Sequence, residues 1–570
     1  MEWGHEMSFR KNIFQQMSFT DSASNLTERE QKRLKNSWAE KFSNDIFPMI
    51  NEDRFSVLYS DNKASRPNNP ANVNIGMLIL KSIFMQSDEE SIDSLMFDVR
   101  YQHALHTTSF EEQPISKNSL SNFRCALYKY YEATGIDLIQ EEVETHANTL
   151  SKIMGLDGKT QRMDSLMISS SCKKLSRLEL IYSCVSRLIK MADKFNNVVY
   201  IMEVPEEFRR YLEEGYENEV IYRTRDTELS SKLETVIKDA IKLHAIYKDT
   251  MIAETEEYQL LSRMISEQTD GDSNLKEGKV IASDSLQNPT DPDATFRTKG
   301  NKKNVGYVGN VVETFNDDHS IITNYDLQQN IYSDAKFAQD IIDKLGKQED
   351  EVNMITDGAY YSEQIAEVAA ENNIKLIPTN MVGRHTIEEN AGKENFVINE
   401  DAHTVVSCPM GNTPVKSSYV NGVYKAHFEK AVCEKCPNYS SCPLIKQKKL
   451  NLFMVTEKAY HMSKVKAQMN TDEYKELVKK RSGVEGIPSV LRRRYNIDNL
   501  PVRNIIRTKI WFGLKIYAIN FKRYIIKDKV PKVKENKAAI STVNTIVEKY
   551  FVVNVQLFLN LFKPLRYNCI

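Results

Sequence analysis

Residues 352–360, VNMITDGAY, hold an apolar run of Val352, Met354 and Ile355 that stops on Asp357-Gly358. The run predicts a buried strand, and the Asp-Gly pair predicts its end. A helical pattern over 362–372 follows, then a second short strand over 374–378, IKLIP. Strand, helix and strand in succession predict a parallel sheet, with Asp357 at the C-terminal edge where such sheets hold ligands and metals. Taken alone, the stretch reads as an aspartate capping the next helix. The question it raises is whether other carboxylates converge on Asp357.

Composition bounds the answer. With 570 residues, 41% of them hydrophobic and 27% charged, the chain can bury several cores and predicts three or more domains of a soluble globular protein. The opening residues, MEWGHEMSFRKNIF, lack the pattern of a signal peptide. The most apolar tail segment, 546–562, is interrupted by Glu548, Lys549, Asn554, Gln556 and Asn560, too polar for a membrane span. A cytoplasmic protein without membrane contact is the expectation. Eight cysteines, four of them clustered, point to reduced thiols or a metal rather than a disulfide framework. The net charge of −2 is uneven: residues 475–537 carry 18 Lys and Arg against 5 Asp and Glu, so +13 there is balanced by −15 elsewhere. A basic segment of that kind fits a polyanion partner, and a solvated helix surface would look similar.

Residues 1–150 read as helical. Ile75, Leu78, Ile79, Ile83 and Phe84 recur at helical spacing over 74–86, and Ser87 to Glu90 then forms a capping box ahead of Ile92, Leu95, Met96 and Val99. A third helix turns Leu120, Phe123, Leu127 and Tyr131 inward and leaves Lys117, Asn118, Ser121, Asn122 and Arg124 on its outer first turns. Short polar and basic side chains at that end suit a DNA-recognition helix, and an ordinary three-helix bundle with a polar surface fits equally well.

Residues 159–169, KTQRMDSLMIS, alternate as a half-buried strand does, with Asp164 at the centre, where strand propensity disfavours it. Three or four helices then fill 175–264 (175–195, 204–220, 228–248 and 256–265) with no strand signal between them, which predicts an inserted all-helical unit. Beyond a polar linker, the loop 288–304 is rich in charge, and strands are expected at 305–315 and 320–325, a helix at 333–345, and then the Asp357 strand. Three hairpin strands feeding a parallel one make a mixed sheet covered by helices. Asp284, Asp291 and Asp293, in or near the charged loop, are the nearest rivals to Asp164 and Asp357 as site carboxylates.

Cys408, Cys433, Cys436 and Cys442 set a Cys-x2-Cys pair among four thiols, a spacing that suits one structural zinc, with His403 or His427 as substitutes for one ligand. Further on, residues 479–495, KKRSGVEGIPSVLRRRY, put Arg481 four before Glu485 and Arg492 seven after it, so a continuous helix would hold both arginines beside the carboxylate. Gly483, Gly486 and Pro488 weaken a helix at that point.

This last segment resembles the Arg-x3-Glu-x6-Lys core around the catalytic glutamate of DDE-type insertion-sequence transposases. Arg492 stands for the lysine, and Val478 holds the place of that family's tyrosine. RMDSLMISS resembles the first catalytic block, with Asp164, and ITDGAYYS the second, with Asp357. The N-terminal helices, the cysteine block and RTKIWFGLKIYAINFKRYI resemble further parts of one large group of these enzymes, in the same order over about 70–540.

The resemblance implies an α+β and α/β multidomain protein built on a ribonuclease H-like mixed sheet. Its expected plan is a helical DNA-binding domain at 1–150, the first core strand at 151–170, a helical insertion at 171–275, and the core continued over 276–400. A cysteine-rich excursion at 401–450, the glutamate helix and C-terminal helices at 451–545, and a tail at 546–570 complete it. Asp164, Asp357 and Glu485 would hold Mg2+ or Mn2+, the cysteines Zn2+, while Arg481 and Arg492 hold phosphates and Lys117, Asn118, Asn122 and Arg124 meet DNA. The implied partners are terminal inverted repeats and target DNA, engaged by a homodimer on paired ends within a bacterial or archaeal nucleoid. A metal-dependent nuclease without strand joining and a non-catalytic DNA-binding descendant remain the alternative readings.

Overall fold

The computed structural model describes residues 7–12, 22–60, 62, 64–110, 113–199, 204–379, 392–469, 471–481 and 483–526. The expected tail at 546–570 lies outside them. Among the described residues no helix is long and apolar enough to cross a membrane.

The N-terminal part is helical, as its periodicity predicts. Helix α1 (Ala71–Phe84) is buried along almost its whole length. The capping box of Ser87 and Glu90 forms and starts the helix Asp88–Phe97. Helix α2 (Lys117–Thr134) buries Leu120, Phe123 and Leu127, and Gly135 ends it in the left-handed conformation that glycine adopts without strain. Helix α3 (Leu138–Ile153) leads into the sheet.

The central sheet has six strands. They are β1 (Thr160–Ser169), β2 (Thr295–Lys299), β3 (Lys302–Phe315), β4 (Ser320–Gln329), β5 (Val352–Thr356) and β6 (Ile374–Pro378). Antiparallel pairing joins β3 to β1, β2 and β4, while β1–β5 and β5–β6 run parallel, giving the mixed sheet that the element order predicts. Strand β2 was expected to be loop. Its polar residues pair with the equally polar start of β3, so no apolar alternation marks it.

One face of the sheet packs Met163, Val308, Val312 and Met354 on helices α4 (Asp334–Leu345) and α5 (Glu363–Glu371). The opposite pleat carries Arg162, Asp164, Leu166 and Ile168. Leu166 and Ile168 join Tyr307 and Val311 in the core that also takes in the N-terminal helices.

Between β1 and β2 the chain forms the expected helical insertion with a core of its own, from Leu178 on helix Arg177–Val199 to Met264 on Glu256–Gln268. Residues 204–220 depart from the expected α-helix. They form a 3-10 turn at Glu206–Leu212 and a π turn at Asn218–Tyr222, because Gly215, at φ +95°, breaks the helical path between them.

The cysteine-rich excursion is a small β-structure. A two-stranded sheet, Val397–Asn399 with Thr404–Ser407, and a three-stranded one, Lys416–Val420, Val423–Glu429 and Leu450–Thr456, enclose Tyr424, Ala426, Phe428, Phe453 and Val455. The inward positions alternate with Lys425 and His427, which hid the strand in composition.

After α6 (Asp472–Arg481) and α7 (Gly486–Tyr495), the long helix α8 (Ile505–Ile526) closes the molecule, wedged between the sheet and α1 and α3. A side chain at Gly513 would strike the Tyr325 hydroxyl at 2.1 Å, and one at Gly309 the Phe512 ring at 2.8 Å. The two glycines let an aromatic ring from the sheet and one from the helix each seat against bare backbone.

Candidate active site

Strands β1 and β5 pair in register as Thr160 with Asn353, Gln161 with Met354 and Arg162 with Ile355. Carried two residues further, the same offset sets Asp164 beside Asp357, on the same pleat face of neighbouring strands about 4.8 Å apart. Asp357 keeps extended backbone and accepts the Gly358 N–H at 2.6 Å, so it caps the short turn Gly358–Tyr360 while standing at the strand end. The cap and the edge position coexist.

Asp164 is largely buried, with 18% of its side chain exposed. Burial pushes its carboxyl above the usual range, and the charge of Asp357 pushes the same way; Arg481, the Ser165 N–H at 3.0 Å and Lys299 pull it back. An oxygen ligand that is reluctant to ionise and has a second carboxylate at its side fits a site that gains a cation.

Arg481, at the end of α6, donates to Glu485 Oε1 at 3.1 Å and lies 3.5 Å from Asp164 Oδ1. Its side chain is 14% exposed, whereas that of Glu485 is 62% exposed. The guanidinium therefore links the first carboxylate to the third. The helix expected through 479–495 is broken: α6 ends at Arg481, and α7 starts at Gly486 with Glu485 at its N-cap. The four-residue spacing of Arg481 and Glu485 survives the break, but the seven-residue spacing does not. Arg492 turns away from Glu485, donating to the Met167 carbonyl at 3.2 Å and pairing with Asp498 at 3.4 Å.

Sequence reasoning missed the groups behind this cluster. Arg162 binds Glu313, which is fully buried, and Arg523 of α8 reaches the other carboxylate oxygen at 2.7 Å. The one available signal was parity, since Arg162 stands two residues from Asp164 on one strand face. On the other face Ser165 donates to Asp334 at 2.8 Å, and Tyr360 to Asn310 at 2.9 Å.

The rival aspartates have structural partners. Asp291 accepts from Tyr307 and the Asn504 N–H, and Asp293 from the Ile505 N–H, so both hold the start of α8; Asp284 is exposed.

Of the expected DNA-contacting residues, Asn118 and Asn122 are exposed and line a groove of about 950 Å3 with Arg66, Lys129, Tyr59 and Tyr130. Lys117 is exposed, 3.6 Å from Glu89. Arg124 ends instead on Asp88, at 2.7 and 2.5 Å, and holds that carboxyl well below the usual range, so its guanidinium is spent inside the bundle.

The four cysteines line one cavity of about 250 Å3, where burial and the other three thiols push Cys442 up to about 11. Among the described residues no three His, Cys, Asp or Glu side chains stand together in metal-holding geometry. What touches Asp164 is the cation of Arg481.

No curated protein matches the chain, and no solved structure does. Residues 407–525 match the family model described as a transposase DDE domain, a span that includes the four cysteines, Arg481, Glu485 and most of α8, and that begins after Asp164 and Asp357. On that match residues 407–525 are similar to the DDE domain of transposases.

Proposed function

We propose that the protein cuts the ends of an insertion element and joins the freed 3′-hydroxyl to target DNA at a ribonuclease H-like catalytic sheet. Asp164, Asp357 and Glu485 are the proposed metal-holding triad. The observation that carries this reading is the β1–β5 register, which sets Asp164 level with Asp357, together with Arg481 bonded to Glu485 and next to Asp164.

The donor set is of carboxylate oxygens, which suits Mg2+ or Mn2+ rather than a soft metal. Bound there, two such ions would activate the attacking oxygen and stabilise the leaving one of an in-line phosphoryl transfer. The protein's own share is positioning. Asp164 and Asp357 are positioned by the pairing of their strands, and Glu485 comes from the N-cap of α7. Arg481, planar and always charged, would exchange Asp164 and Glu485 for a phosphate as ions and DNA arrive. Arg492 and the exposed Lys117, Asn118 and Asn122 would meet DNA backbone and bases further out. Two copies would hold paired ends.

The test is incubation with a duplex made from the DNA flanking the gene, plus Mg2+ and a target plasmid. Joined 3′-ends are the expected product. Nicking without joining would make the protein a nuclease, and binding with neither would make it a DNA-binding descendant.

The cysteines are the proposed ligands of one structural Zn2+, which would offset the cost of ionising a thiol such as Cys442. Protein prepared without added metal should carry about one zinc per chain. Stripping it should raise protease cleavage within 397–456, and zinc-free protein with unchanged cleavage there would remove the assignment.

A further inference from the structure

We propose that Arg162 is a positioning residue for the triad, a strut that sets the α6–α7 junction, and with it Arg481 and Glu485, over Asp164. This inference rests on the proposed role of the three carboxylates.

Four contacts meet on one guanidinium. Its Nε donates to Glu313, its Nη1 donates to the Lys480 carbonyl, its plane lies 4.2 Å from the centre of the Phe315 ring, and its outer face meets Gly483. Two of these fix Arg162 to the sheet. Glu313 lies directly across the β1–β3 ladder from Arg162 and is held from its other side by Arg523, and Phe315 is two residues further along the same pleat face. The remaining two reach the helix junction.

The Lys480 carbonyl belongs to the last turn of α6, where carbonyls lack intrahelical partners and a cation is favoured by the helix dipole. Arg481 is the next residue. A Cβ added at Gly483 would fall 2.2 Å from Nη1 and 2.5 Å from Cζ and Nη2, so the backbone passes over the guanidinium with no room for a side chain. Gly483 therefore does more than weaken a helix. It lets the chain lie flat on the strut two residues before Glu485.

Asp164 sits two residues from Arg162 on the same face of the same strand. One rigid group thus transmits the position of that strand to the helix end that supplies Arg481 and Glu485. A lysine in its place would retain a charge for Glu313 but lacks the planar fork that reaches a second acceptor.

The test is Mn2+ binding by the full-length chain, followed by electron paramagnetic resonance, with Asp164→Asn as the control that identifies ions bound at the triad. Arg162→Lys is expected to stay folded and to weaken triad Mn2+ binding about 10- to 100-fold, as loss of a ligand-orienting partner does. Gly483→Ala, which leaves Arg162, Glu313 and Arg523 intact, should weaken it in the same sense and decides the matter alone if Arg162→Lys does not fold. A merely structural ion pair would lower melting temperature and leave Mn2+ affinity untouched. Folded variants that bind Mn2+ like the parent overturn the strut while the triad stands. Parent binding that ignores Asp164→Asn overturns the triad, and the strut with it.

Discussion

Asp357→Asn is expected to reduce cleavage of element ends by roughly 10^3-fold or more, with affinity for the same DNA almost unchanged. Asparagine is nearly isosteric and keeps the oxygen that accepts the Gly358 N–H, so the turn at the end of β5 should persist. What disappears is one negative charge beside Asp164. Loss of a metal ligand removes several kcal/mol of transition-state stabilisation, and each 1.36 kcal/mol is tenfold in rate. The same substitution removes the repulsion that helps to push the Asp164 carboxyl up, so that group should ionise more readily than in the parent. A cleavage assay beside a gel-shift titration separates the two effects. Cleavage at the parental rate would move the chemistry away from this sheet edge.

Glu313→Ala should be the most destabilising single change near the site, at about 3–5 kcal/mol, the usual cost of removing one member of a buried ion pair. Glu313 is completely buried, and it is the shared partner of Arg162, 11% exposed, and Arg523, 27% exposed. Deleting it leaves two guanidinium groups facing one another, one with little access to water. Arg523 can relax outward; Arg162, stacked on Phe315 and tied to Lys480, cannot do so easily. Against a whole-protein stability of about 5–15 kcal/mol the loss is large. The shift in urea midpoint measures it, and a change below about 1 kcal/mol would mean that the triad of charges contributes little to stability.

What the sequence made legible is what local pattern controls. The strand ending at Asp357, the β6 strand, the Ser87 capping box and the helical insertion follow from short-range periodicity, and all are present. Asp164 was conspicuous because a charged residue in a strand centre needs a reason. The misses have physical causes too. Strand β2 and the sheet around the cysteines are formed by polar residues whose pairing is decided by distant partners. The break after Arg481 was signalled by Gly483, but its consequence, that Arg492 leaves Glu485 for Met167, depends on the angle between two short helices, which no spacing rule supplies. Arg124 looked exposed on a helical wheel because Asp88 lies 36 residues away in sequence. Arg162 and Glu313 are ordinary charged residues until the β1–β3 register brings them face to face.

The rungs that join β1 to β5 link residues 193 positions apart. Of the chain between them, the all-helical unit that joins β1 to β2 has a core of its own and contributes no strand to the sheet. Because the entropy of closing a flexible loop grows only with the logarithm of its length, that unit is free to lengthen, shrink or be exchanged at little energetic cost. It can therefore diversify by whole-segment replacement while the two aspartates stay level on adjacent strands, which makes the stretch after β1 a natural graft point for engineering.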